Sequence, residues 1–157
     1  MTDAILIRPA CEGEALALGE LAFRSKAYWG YSPEFMAACR EELSVTQDDI
    51  AAPDALFRLA ECDDDIAGYY ALVRLSRVSY ELDALFVDPP WIGRGVGRAL
   101  MEHAVASARD LGADTLLIQG DPNATRFYTA AGAVKVGEWE SGSIPGRMLP
   151  EFRIDLT

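Results

Sequence analysis

The chain has 157 residues, half of them hydrophobic and a quarter charged, with 25 acidic against 14 basic side chains for a net charge of −11. That length and composition predict one folded domain over residues 1–157 and exclude a disordered chain. The acidic excess argues against nucleic-acid binding, which rests on neutralising phosphates with Lys and Arg, and no apolar run reaches the about 18 residues of a membrane span.

Ile5 to Pro9 reads as a short strand ended by Pro. Glu12 to about Tyr28 carries Leu16, Leu18, Leu21 and Ala22 amid polar residues, an amphipathic helix. Ser32-Pro33-Glu34 has the form of an N-cap followed by Pro at the first helical position, opening a helix to about Leu43. Leu56 to Cys62 and Ile66 to Leu75 are strand-like runs around an Asp63-Asp64-Asp65 turn. Ser79 to Val87 is the next strand, and a helix follows a glycine-rich loop and ends at about Leu111 before Gly112. Thr115 to Gln119 is a short buried strand, Asn123 to Ala131 a short helix, and Val134 to Glu140 and Met148 to Leu156 two last strands. The predicted order is β-α-α-β-β-β-α-β-α-β-β.

The N-terminal residues lack a basic region followed by an apolar core, so no secretion signal is read there. Cys11, Cys39 and Cys62 have neither metal nor redox spacing, which predicts reduced thiols, a cytoplasmic setting and no metal centre.

The passage from Glu81 to Leu100 carries the most chemistry. A strand leads through Pro89 and Pro90 into a helix opened by Gly93, Gly95 and Gly97. A helix N-terminus presents unpaired N–H groups and the positive end of its dipole, and glycines let an anion approach them. Arg94 and Arg98 add positive charge, which together predicts a pyrophosphate cradle. No Gly-Lys-Ser/Thr follows, as a P-loop requires, and Arg98 stands where a dinucleotide fingerprint needs a small residue.

This segment resembles the coenzyme A-binding motif of the GNAT acyltransferase superfamily, Gln/Arg-x-x-Gly-x-Gly/Ala. The motif's glycine core falls on Ile92-Gly93-Arg94-Gly95-Val96-Gly97, with Ile92 in place of the usual Gln or Arg. A second stretch, Asp121 to Gly132, resembles the superfamily's segment in which Asn precedes a short helix carrying Phe-Tyr and ending at Gly. The resemblance extends over essentially the whole chain. It implies a mixed α/β fold with a mostly antiparallel, splayed central sheet flanked by helices. It also implies an acetyl-CoA-dependent N-acetyltransferase that passes the acetyl group directly to a primary amine of a small molecule or peptide. The alternatives are another acyl-CoA donor or a non-catalytic acyl-CoA sensor. C-terminal hairpins of the superfamily often pair across dimers, so the resemblance admits a homodimer.

Carried over residue by residue, the resemblance gives Tyr128 the part of general acid toward the leaving thiolate. Asn123 is then either a contact to the pantetheine arm or a plain N-cap. Phe86 and Val87 offer backbone N–H groups, and Ile92, Gly93, Arg94, Gly95, Val96, Gly97, Arg98 and Ala99 form the cofactor cradle. Glu81, thirteen residues before Arg94, corresponds to a catalytic carboxylate of the histone-acetylating branch or is a solvated strand start. By strand alternation Glu81 shares a face with Asp83, and Leu82, Ala84 and Phe86 share the other. Tyr28, Trp29 and Tyr31, with Lys26, fall in the loop that walls the acceptor pocket in this superfamily. They either hold a cationic amine by cation–π attraction or anchor the helices. Arg147 either grips a substrate carboxylate or pairs with a surface acid, and His103 falls on the core stripe of its helix and reads as structural.

Overall fold

The computed structural model describes residues 4–157. Seven strands form one sheet in the order β1-β2-β3-β4-β5-β7-β6. The strands are β1 (Leu6–Pro9), β2 (Ala55–Cys62), β3 (Asp65–Arg74), β4 (Ser79–Val87), β5 (Thr115–Gln119), β6 (Val134–Glu140) and β7 (Met148–Asp155). All neighbours are antiparallel except β4 and β5.

Helices α1 (Ala15–Ala27) and α2 (Pro33–Leu43) cover one face, and α4 (Val96–Asp110) and α5 (Thr125–Ala130) the other. The residues of β3 explain how both faces fill. Tyr69 and Ala71 join Leu18, Leu21, Met36 and Phe57 on the first face, while Tyr70 and Leu72 join Leu100, Met101, Leu116 and Phe152 on the second. A strand buried on both sides has no polar face to alternate with, hence its continuous apolar run.

Local signals set most boundaries. The Ser32 hydroxyl accepts from the Phe35 N–H and Pro33 occupies the first helical turn, so α2 begins where its sequence directs. Asp63 and Asp64 both take positive φ, 51° and 67°, as the right-handed twist of a two-residue hairpin turn demands. The sequence reading omitted α3 (Gln47–Ala51), a single turn closed by reciprocal hydrogen bonds between Thr46 and Asp49. It also ran the Asn123–Ala131 helix as one piece, whereas a 3₁₀ turn at Pro122–Ala124 precedes α5.

Two irregularities of β4 shape the molecule. It pairs with β5 only from Ser79 to Leu82 and continues to Val87 on β3 without β5, so the sheet splays open between β4 and β5. In addition, Leu82 faces Leu72 and Ala84 faces Ala71, leaving Asp83 as the extra residue of a β-bulge. The expected alternation therefore breaks at Asp83. Leu82 packs with the α4 side, Ala84 and Phe86 with the α1–α2 side, and Leu85 and Val87 return to the α4 side. No helix among the described residues is long and apolar enough to cross a membrane.

Candidate active site

The splay opens a cleft of about 490 Å³. One wall is β4 from Leu82 to Val87, free of β5 beyond Leu82, and another is the glycine loop with Ile92, Gly93, Gly95, Gly97 and Arg98. Asn123, Ala124, Phe127 and Tyr128 close a third side, and Lys26, Trp29 and Glu42 also contribute to the lining. Both motifs singled out in the sequence thus meet in one cavity.

The loop is built as its glycines require. Gly93 and Gly95 hold φ of +83° and +84°, a region that other residues enter only with strain. Gly97 has ordinary helical backbone, but a Cβ there would stand 3.3 Å from Phe127 and 3.5 Å from Val87, crowding the cleft floor. Gly95 is the N-cap of α4, and its C=O accepts from the Ala99 N–H at 3.0 Å. The amides of Val96, Gly97 and Arg98 have no acceptor one turn back and point out of the helix end. The Ala99 amide is therefore spent inside the helix, and the Ile92 amide is spent on the Pro89 carbonyl at 3.2 Å. Arg98 lines the cleft and pairs loosely with Glu102 at 3.1 Å. Arg94 lies instead over the Trp91 ring at 5.0 Å, beside a shallower hollow shared with Asp65 and Asp88.

On β4, the Asp88 N–H donates to the Ala67 C=O at 2.8 Å. Antiparallel alternation then turns the Phe86 amide toward β3 and the Leu85 and Val87 amides toward the open side. Phe86 contributes its side chain to the cleft wall.

Tyr128 is 7 % exposed, wedged between Phe127 and Phe152 with ring centres 5.3 and 5.5 Å away. Its hydroxyl has no protein hydrogen-bond partner among the described residues and is not sealed, so it opens on the cleft. Burial, and then the charge of Asp121, push its pKa well above the ordinary tyrosine value. It stays protonated throughout the neutral range.

Asp121 is a hub that the sequence did not reveal. It accepts from the Asn123 N–H and side-chain amide at 2.9 and 3.0 Å and from the Tyr31 hydroxyl at 2.9 Å. Lys26 and Arg147 each reach it at 3.4 Å. Burial works against its charge, but these bonds and cations outweigh burial and hold its pKa below the usual range. The Tyr31 hydroxyl also accepts from Asn123 at 2.8 Å and Arg147 at 2.7 Å. Burial and its bond to Asp121 push Tyr31 up to about 12. Tyr31 is thus a clasp joining three loops, stacked on Phe35 at 4.2 Å, rather than part of the cleft lining. Arg147 pairs with an acid, as one of its two readings had it. Trp29 does line the cleft, whereas Tyr28 is 56 % exposed and touches Trp29 edge-on.

Glu81 is half-buried just outside the lining, and Asp83, an exposed residue, belongs to it. Burial, then Asp83 and Glu151, raise the Glu81 pKa, while burial, then Glu42 and Asp49, raise that of Asp83. His103 is tied to Tyr70 at 2.7 Å on the α4 side, away from the cleft, as its core position predicted.

Residues 23–133 match the family model described as acetyltransferase (GNAT) family. The chain belongs to the GNAT acetyltransferase family. It is 29 % identical over 140 residues to the N-alpha-acetyltransferase RimI of Mycobacterium tuberculosis, an alignment spanning 87 % of this chain and 82 % of that protein. A 59-residue stretch is 41 % identical to the peptidyl-lysine N-acetyltransferase YjaB of Escherichia coli, covering 38 % of this chain and 39 % of YjaB. The fold matches that of the PaiA N-acetyltransferase from Thermoplasma acidophilum, a coenzyme A complex, with a TM-score of 0.81, 21 % identity and coverage of 97 % and 99 %. The GNAT membership and mixed, splayed sheet expected from the two motifs are borne out.

Proposed function

We propose that the chain is a single-domain, cytoplasmic N-acetyltransferase that uses acetyl-CoA and acetylates a primary amine of a small molecule or peptide by direct transfer. The observation that carries this reading is the convergence of a glycine-opened helix end, an unpaired strand edge and an unpartnered buried tyrosine hydroxyl on one cleft. Gly93 and Gly95, with open space where a Cβ would stand, leave room for a bulky anionic ligand to approach the helix end. Acetyl-CoA would supply an acetyl group activated as its thioester.

In this reading the Val96, Gly97 and Arg98 amides and the Arg98 guanidinium hold the pyrophosphate. The Leu85 and Val87 amides hold the pantetheine arm and the thioester oxygen, and the Asn123 side chain borders the same arm. Tyr128 delivers a proton to the departing thiolate, since burial keeps the phenol protonated at neutral pH and its hydroxyl opens on the cleft. Glu81, directly or through water, takes the proton that the acceptor ammonium must lose. Asp83 and Trp29 border the acceptor. No cysteine lines the cleft among the described residues, and Cys39 and Cys62 are buried elsewhere, which favours direct transfer over an acyl-enzyme. Amine acceptors are in keeping with the names of RimI and YjaB. A coenzyme A-release screen with a panel of amines and N-terminal peptides tests the reading. Acetylated product is expected with at least one acceptor class, and release no faster than hydrolysis throughout a broad panel would overturn it.

A further inference from the structure

Tyr128 meets the cleft through packing alone. Its hydroxyl has no hydrogen-bond partner among the described residues, so only the surfaces that hold the ring aim it. Phe127 and Phe152 are two of those surfaces. The third is the backbone at the end of β5. A Cβ on Gly120 would stand 2.9 and 3.1 Å from carbons of the Tyr128 ring and 3.2 Å from the Phe152 ring. The main chain at Gly120 therefore lies directly against the phenol, an approach that any side chain at 120 would block. The Gly120 N–H is anchored on the Pro150 carbonyl at 3.0 Å.

The next residue decides where that main chain runs. Asp121 lies outside strand and helix, so its place is set by what its carboxylate binds. The Tyr31 hydroxyl reaches it at 2.9 Å from the α1–α2 loop, and Arg147 at 3.4 Å from the β6–β7 hairpin. Arg147 also donates to the Tyr31 hydroxyl at 2.7 Å, with its guanidinium 4.8 Å from the Phe35 ring and 5.1 Å from that of Tyr31. The side chains of Asp121 and Arg147 are each 17 % exposed, so these charge-assisted bonds are largely shielded from water and stronger than surface pairs.

On the acetyltransferase reading above, we propose that Tyr31, Asp121 and Arg147 are positioning residues for Tyr128: their clasp holds the Gly120 backbone against the phenol and so aims its hydroxyl at the thiolate to be protonated. The clasp itself exchanges no proton with the reactants. It acts on the rate through the Tyr128 hydroxyl, because a general acid with no hydrogen bond to orient it is only as well placed as the wall behind its ring. Misplacement by about 1 Å costs on the order of 10²-fold. The effect is also bounded, since it cannot exceed the roughly 10²-fold that removal of the hydroxyl costs.

The test is a double-mutant cycle in the coenzyme A-release assay, with kcat measured at saturating acetyl-CoA and acceptor. Tyr31→Phe keeps the ring stacked on Phe35 and removes the hydroxyl that Asp121, Asn123 and Arg147 share, while Arg147→Gln removes the cation. Each is expected to lower kcat about tenfold while the acetyl-CoA Kd stays within about twofold by calorimetry. That retained binding shows that the variant is folded. In a Tyr128→Phe background the same substitutions are expected to change kcat by less than about twofold, since no hydroxyl remains to be aimed. A clasp that merely supports the fold would cost as much in both backgrounds, and that result overturns the proposal. An unaltered kcat in both single variants, or a loss confined to the acceptor KM, overturns it as well. If Tyr128→Phe alone leaves kcat intact, the roles of Tyr128 and of the clasp fall together while acetyl transfer stands. A broad panel in which no amine releases coenzyme A overturns the acetyltransferase reading and the clasp's role with it.

Discussion

Gly97→Asp tests the phosphate cradle at one atom. A Cβ at this position meets Phe127 at 3.3 Å and Val87 at 3.5 Å. Both neighbours are side chains that yield by a few tenths of an ångström, so the fold tolerates the change. The backbone at 97 has no positive φ, unlike Gly93 and Gly95, and an acidic residue in the first turn of a helix gains a few tenths of a kcal/mol from the dipole. The variant is therefore expected to be as stable as the parent. The carboxylate, blocked by Phe127 and Val87, turns toward the amides of the helix end, where the pyrophosphate would lie. Two unit charges about 5 Å apart repel by about 3 kcal/mol at an effective dielectric of about 20, a hundredfold loss of affinity before sterics are added. Gly97→Ala separates the terms, since it adds the Cβ without the charge. The assay is calorimetric titration with acetyl-CoA, supported by melting curves. A ligand at a hundred times its Kd adds about 2.7 kcal/mol, a shift of about 5–11 °C for a domain of this size. That shift is expected in the parent and absent in Gly97→Asp. A variant that binds within about threefold of the parent, 0.65 kcal/mol, would mean that the phosphates lie elsewhere.

Tyr128→Phe removes a hydroxyl with no protein partner, so folding and acetyl-CoA affinity should persist while kcat falls by about 10²-fold or more; an unchanged kcat takes Tyr128 out of the mechanism. Glu81 has a raised pKa, so its ionised form is penalised in the fold, and this penalty is present once pH exceeds the raised value. Glu81→Gln should accordingly stabilise the protein slightly at neutral pH by melting, while lowering kcat and abolishing the acid limb of the rate profile. A retained limb assigns the base elsewhere. Asp121 has a lowered pKa, so its stabilisation is full above the unfolded value of about 3.9 and is lost as pH falls through the folded one. Asp121→Asn should cost about 2 kcal/mol at neutral pH, less than a fully buried pair because a sixth of the side chain is exposed, and should flatten the acid dependence of chemical denaturation.

What the sequence made legible was what short range encodes. Ser32-Pro33 fixed the start of α2, and the glycines at 93, 95 and 97 marked the start of α4 before any contact was known. The Phe127-Tyr128 helix was readable because its adjacent rings must diverge, one floor to the glycine loop and one wedge against Phe152. The Thr46–Asp49 capping box was also present in the sequence, but a single turn has no periodicity to announce it. The bulge at Asp83 was not legible, since it arises from the register that β3 imposes on β4, with Leu72 opposite Leu82 and Ala71 opposite Ala84. Nor was the clasp of Tyr31, Asp121 and Arg147, whose members lie 90 and 116 residues from Tyr31 and meet only after the splay has formed.

Hydrogen exchange read by mass spectrometry, with and without saturating coenzyme A, tests most directly that the splay and glycine loop together form the cofactor site. Slowed exchange is predicted in peptides covering Leu85 to Val87 and Gly93 to Arg98, with the α1–α2 face and the β1 edge unchanged. Tight binding accompanied by protection elsewhere, or by none in these two segments, would contradict the account.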